Sequence, residues 1–205
     1  EKGYELAGFV WFQGWNDMVA SGTYPNRGQP GGYDACTDCL AHFIRDVRKD
    51  LDAPKMKFVI GVMGVGGPLD QYASQRYVPI HGAFRAAMAA PSLMPEFKGN
   101  VFAVRTAKFW DMRLKELEDN QERVKQMAGF LKNKHKEYAN RDGSLSASEQ
   151  KEYVEKYRRK LISTEDEAYA KMARSNGGYH YYGSAKTMAQ IGKAFAEATL
   201  QMTLP

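Results

Sequence analysis

Gly8-Phe9-Val10-Trp11-Phe12-Gln13-Gly14-Trp15-Asn16-Asp17 is the stretch whose reading decides the fold. An apolar run, Ala7 to Phe12, passes directly into a polar Gln-Gly-Trp-Asn-Asp segment. Unbroken apolar character over so few residues fits a strand covered on both faces, as in a parallel sheet. Two more such runs come later in the chain, Lys57 to Met63 and Asn100 to Arg105, each bounded by Gly, Pro or Asn. Helical patterns lie between and after them. Asp34 to Leu51 ends before Pro54, Gly82 to Ala90 is stopped by Pro91, and Ser184 to Met202 aligns Met188, Ile191, Ala194, Phe195 and Ala198 on one face. This alternation predicts an α/β fold with a parallel sheet and right-handed crossovers. Three strands are few where about 4–6 are usual, so the sheet is expected to be incomplete at its N-terminal side. Residue 1 is Glu and no signal peptide is visible, so the chain is expected to be a processed or trimmed part of a longer polypeptide.

Residues 111–172 break the rhythm. Leu114, Leu117, Val124, Ala128, Leu131 and Tyr138 recur at a spacing of three and four, with Gln121 and His135 in the polar slots. A second helical run, Ser148 to Ile162, comes after a polar loop. The expectation is an antiparallel helical hairpin, 111–172, inserted into an α/β domain formed by 1–110 and 173–205. The loop Asn140-Arg141-Asp142-Gly143-Ser144-Leu145-Ser146-Ala147-Ser148-Glu149 resembles an EF-hand, but Tyr138 stands where its first carboxylate belongs. A helix turn with Ser146-x-x-Glu149 as capping box is the better reading, and no metal is expected.

The chain has 205 residues, 43% hydrophobic and 26% charged, with a net charge of +5. Segment 111–160 carries 13 Lys/Arg against 10 Asp/Glu, a solvated helical surface and not a compact basic patch, so nucleic acid is not an expected partner. No apolar run is long enough to span a bilayer. Cys36 and Cys39 form a C-x-x-C within an amphipathic helix pattern, and without a second ligand pair at zinc spacing they read as helix-face packing residues. Gly61-Val62-Met63-Gly64-Val65-Gly66-Gly67 lacks both the G-K-[ST] ending of a phosphate-binding loop and the dinucleotide spacing.

Two segments carry chemistry. Gln13 to Asp17 leaves a strand at the end where ligands bind in open α/β sheets. There Gly14 allows close backbone approach, and Gln13 and Asn16 offer amide donors to a developing oxyanion. Ser175-Asn176-Gly177-Gly178-Tyr179-His180-Tyr181-Tyr182-Gly183-Ser184 sets His180 in a Gly- and Tyr-rich loop before the last helix, where a general base is expected. His42, His81 and His135 read as surface or packing residues.

Together the two segments resemble SGNH hydrolases. Gly14-Trp15-Asn16-Asp17 is similar to the family's G-x-N-D block, and Trp11-Phe12-Gln13-Gly14 looks like the W-x-Q-G of the sialate O-acetylesterase branch. The resemblance implies a flavodoxin-like three-layer α/β/α fold and hydrolysis of acetyl esters on carbohydrates, with no cofactor. It implies Asn16, with Gly14, as oxyanion-hole elements and His180 as the base for a serine. Asp17 is the candidate acid, since Gly177 stands where the family often has Asp. Gln13, Trp15, Tyr179 and Tyr181 are candidate substrate-binding residues. A secreted or periplasmic site of action is implied by the family's substrates. The family's serine block is not in the chain: Ser21, Ser74, Ser92, Ser175 and Ser184 are not in a Gly-Ser elbow after a strand. An N-terminal segment or separate chain is expected to supply the nucleophile, and this chain alone is expected to be inactive. The alternatives are a non-catalytic module of this fold that binds glycans or proteins, and an interaction protein whose working part is the helical hairpin.

Overall fold

In the computed structural model, which describes residues 3, 5–72 and 74–203, the three apolar runs form β1 (Phe9–Trp11), β2 (Phe58–Val62) and β3 (Val101–Arg105). They make one parallel sheet in the order β1-β2-β3, with Phe9 opposite Phe58 and Phe58 opposite Val101. Parallel neighbours need long crossovers. Helices α1 (Trp15–Val19) and α2 (Asp34–Asp50) lie between β1 and β2, and α3 (Val78–Ala89) lies between β2 and β3. Helix α3 starts four residues before the expected Gly82, because Pro79 sits in its first turn, where a missing N–H costs nothing.

The chain divides into two compact units, one of residues 1–110 with 185–205 and one of residues 111–184. The second holds α4 (Met112–Lys132), α5 (Ala147–Leu161) and α6 (Thr164–Ala173). The chain then returns to the first unit as α7 (Ala185–Gln201).

Within the first unit every residue of β2 is buried, so helices must cover both faces of the sheet. On one face Phe58 stacks on Phe9 at 5.0 Å and meets Phe43 of α2 edge-on at 6.1 Å. On the other, Val59 and Val104 form a buried cluster with Ala198 of α7, and Ala194 and Phe195 pack against it. Gly61 makes that second contact possible. A Cβ built on it would lie 2.4 Å from Phe12 Cδ2 and 2.7 Å from Phe195 Cζ.

The sheet is tied at its N-terminal end by Arg48, which is buried and donates from Nε and Nη2 to Met56 O at 3.0 and 2.8 Å. Nη2 also reaches Asn100 Oδ1 at 2.7 Å. Burial lowers the pKa of this guanidinium.

The second unit differs from a two-helix hairpin in two respects. The buried residues of α4 are Leu114, Leu117, Met127 and Leu131; Met127 takes the slot expected for Ala128, which is exposed. Tyr138 lies beyond the helix end and stacks on Phe130 at 4.4 Å. The second difference is α6, whose N-cap Ser163 accepts from the Asp166 N–H at 3.0 Å. Tyr169 of α6 donates to Asp111 Oδ2 at 2.6 Å, while Asp111 Oδ1 caps α4 by accepting from the Leu114 N–H.

In the 140–149 loop the would-be calcium donors have other work. Asn140 is buried, donating to Leu131 O and accepting from the Leu145 N–H, both at 2.9 Å. Ser146 and Glu149 form the reciprocal capping box of α5.

Two stability measurements test this packing. Gly61→Ala overpacks the α7 face and is expected to cost roughly 2 kcal/mol. In a thermal melt that appears as a Tm lower by about 4–8 °C; an unchanged Tm contradicts the close approach. Ser146→Ala is expected to cost about 1 kcal/mol, read as lost protection of α5 amides in hydrogen exchange.

Candidate functional site

The Gln13–Asp17 segment leaves the C-terminal end of β1 and turns at once into α1. The turn requires glycine. Gly14 is buried with φ 151°, and a Cβ there would meet Phe84 Cζ at 2.8 Å. Its carbonyl accepts the Met18 N–H at 3.0 Å, closing the first turn of α1. Met18 in turn accepts the Tyr33 hydroxyl on its carbonyl at 2.6 Å, which ties α1 to the start of α2.

Beside this turn lies a cleft of about 300 Å³ within the first unit. Gln13, Gly14 and Asp17 line it together with Tyr24, Cys36 and Cys39, and its floor is apolar, from Phe43, Phe84 and Met88. Trp11 also lines it, its ring 4.6 Å from that of Phe43. Asn16 is exposed on α1 and does not line the cleft; Trp15 beside it is half-buried. So the structure gathers Gln13, Gly14 and Asp17 at one opening, with Asn16 on the adjoining helix turn.

Tyr24 and the two cysteines as cleft-wall residues were missed in the sequence. The signal was there: Cys36, Cys39, Leu40 and Phe43 recur at helical spacing, and the face they share opens partly onto the cleft. Both thiols are free. Burial, reinforced by the charge of Asp17, pushes the Cys36 thiol up to about 11. Burial and the neighbouring Cys36 push Tyr24 up to about 12. A thiol so raised is a poor nucleophile near neutrality. Both cysteines line the cleft wall, and Cys36 is the less reactive of the two.

His180 belongs to the second unit, in a 3-10 turn over Gly178–Gly183. Its side chain is exposed, its N–H donates to Gly177 O at 3.0 Å, and its ring lies 4.4 Å from that of Tyr179. Tyr179 is exposed. Tyr181, expected as an open stacking surface, is instead only 4% exposed. Tyr181 and Tyr182 both hold positive φ, 52° and 59°, a conformation that costs non-glycine residues on the order of 1–3 kcal/mol each.

Tyr182 holds the turn. Its hydroxyl donates to Glu118 Oε2 at 3.0 Å, and its carbonyl accepts the N–H groups of Ser175 and Asn176. Burial and the Glu118 carboxylate raise its pKa. Among the described residues, no group of three or more His, Cys, Asp and Glu side chains is placed to hold a metal ion, and no helix is long and apolar enough to cross a membrane.

The cysteine environments give a direct test. At pH 8 Cys39, which is exposed, is expected to alkylate with iodoacetamide well ahead of Cys36, resolved by peptide mass spectrometry. The Cys36 rate should climb about tenfold per pH unit until pH approaches its pKa. Equal rates at pH 8 would contradict the half-buried setting of Cys36. Compared with known proteins, the chain matches no family model, no curated protein and no solved structure.

Proposed function

We propose that this chain is the oxyanion-and-histidine portion of a carbohydrate O-acetylesterase with a flavodoxin-like fold of the SGNH type. The observation that carries the reading is the turn after β1. Gly14, pressed on Phe84 in a backbone conformation only glycine adopts easily, brings Gln13 and Asp17 to the mouth of a cleft of about 300 Å³ at the ligand-binding end of a parallel strand. The turn at His180 adds support, since strained backbone beside an exposed histidine is characteristic of working residues.

In the proposed reaction a serine oxygen attacks the acetyl carbonyl, and His180 takes its proton. The proton then passes to the departing sugar hydroxyl, and water, with His180 again as base, releases acetate. Asn16, with the Gly14 turn, is proposed to hold the tetrahedral oxyanion, and Asp17 is the candidate acid. Gln13, Trp15 and Tyr179 are the proposed sugar contacts. Among the described residues no serine sits in a turn directly after a strand, and the nucleophile is proposed to come from an N-terminal segment or a separate chain. The outer edge of β1, which pairs only with β2 in the three-stranded sheet, is the proposed place for its strand. The substrates place such an enzyme outside the cytoplasm, secreted or periplasmic.

The test uses the complete gene product on acetylated xylan or an O-acetylated sialoside, with acetate release as the readout. His180→Ala is expected to lower turnover by a factor on the order of a thousand or more, and Asn16→Ala by about a hundredfold. Near-wild-type turnover in His180→Ala sinks the reading. Saturable glycan binding without hydrolysis would replace it with a binding module.

A further inference from the structure

A second cavity lies in the first unit, at the C-terminal ends of β2 and β3. It encloses about 180 Å³ and is lined by Arg85, Arg105, Thr106, Met63 and Leu69, among others.

Its chemistry is set by Arg85, on α3 and only 7% exposed. Nη1 donates to Gly67 O at 3.0 Å, and Nη2 donates to Val65 O and to the Tyr72 hydroxyl, both at 3.0 Å. Nε–H is buried and has no acceptor. Among the described residues no carboxylate pairs with Arg85 or with Arg105. His81, bonded to the same Tyr72 hydroxyl at 2.7 Å, is kept neutral by burial and by Arg85, its pKa pushed down to about 4, so it adds no second positive charge beside Arg85. Arg48 differs on this point: that buried guanidinium, at the opposite end of the sheet, feels the Glu96 carboxylate.

A buried cation with a donor to spare and no counter-ion is costly unless an anion joins it. Arg105, the last residue of β3, is exposed and lines the same cavity, which its guanidinium can reach on a flexible side chain. Paired guanidiniums suit planar carboxylate and tetrahedral phosphate alike.

We propose that this cavity is a binding site for a small oxyanion, the carboxylate or phosphate group of a ligand, held by Arg85 and Arg105. It stands independently of the esterase reading. Isothermal titration of the protein in a low-chloride, phosphate-free buffer tests it, with D-glucuronate, inorganic phosphate and neutral D-glucose as probes. Saturable binding of one or both anions and not of glucose is expected, and the stronger anion identifies the source. Because Arg85 also anchors the loop, its replacement risks misfolding, so the decisive variant is Arg105→Gln. It should bind the anion roughly tenfold more weakly, the loss of one charge-assisted contact. No saturable anion binding, equal binding of glucose, or unchanged affinity in Arg105→Gln overturns the proposal.

Discussion

Burying β2 on both faces is the constraint on which the first unit depends. A strand with no exposed residue must pair its backbone on both edges, because an unpaired buried N–H or C=O costs on the order of 1–3 kcal/mol. Partners β1 and β3 meet that demand in parallel register. Parallel pairing then brings all three C-terminal ends to one edge of the sheet. The three strands exit into chemically distinct segments: Gln13–Asp17 after β1, the glycine-rich Gly64–Gly67 after β2, and Arg105–Thr106 at the end of β3. The cleft beside Gly14 and the arginine-lined cavity are thus neighbours by topology, one strand apart in the sheet.

Two buried arginines hold opposite ends of that sheet and illustrate how backbone carbonyls carry a buried charge. Arg48 gathers the chain entering β2 at Met56 and the residue before β3, Asn100. Arg85 gathers the loop leaving β2 through Val65 and Gly67. Both are fixed by dipoles, which orient a guanidinium well but neutralise it poorly. A structure that required only an anchor would be served by either arrangement; of the two, Arg85 is the one that leaves a buried donor without an acceptor.

Much of this was legible in the sequence, and for a common reason. Apolar runs bounded by Gly, Pro and Asn marked the three strands within two residues of their ends, although the expected cover on both faces holds for β2 alone: as the outer strands of the sheet, β1 leaves Val10 exposed and β3 leaves Phe102 and Arg105 exposed. The capping box at Ser146 and Glu149 was legible because its partners are three residues apart. The features that escaped the sequence depend on partners distant along the chain. Helix α6, for which the sequence pattern predicts no separate helix, is fixed where Tyr169 meets Asp111, and Met127 displaces Ala128 because the pairing of α4 decides which side of the turn is covered. The roles of Arg48 and Arg85, and of Cys36 as a cleft wall, likewise rest on contacts from elsewhere in the fold.

Their surroundings separate the four histidines in the same physical terms. His42, on α2, lies 3.4 Å from the Arg45 guanidinium on an exposed face. His81 is locked to Tyr72 and held neutral, and His135 is packed against Phe130 and Tyr138. Each has a structural occupation that explains its surroundings. Around His180 the structure spends energy with no packing return to the histidine itself: two consecutive tyrosines in positive φ, over-determined by Glu118, Ser175 and Asn176, hold up an exposed imidazole. Backbone strain of this kind persists where a side chain must be presented in one orientation. That asymmetry, more than the composition of the loop, is the physical ground for choosing His180 as the proposed base. The Tyr182–Glu118 hydrogen bond ties the turn that carries His180 to α4.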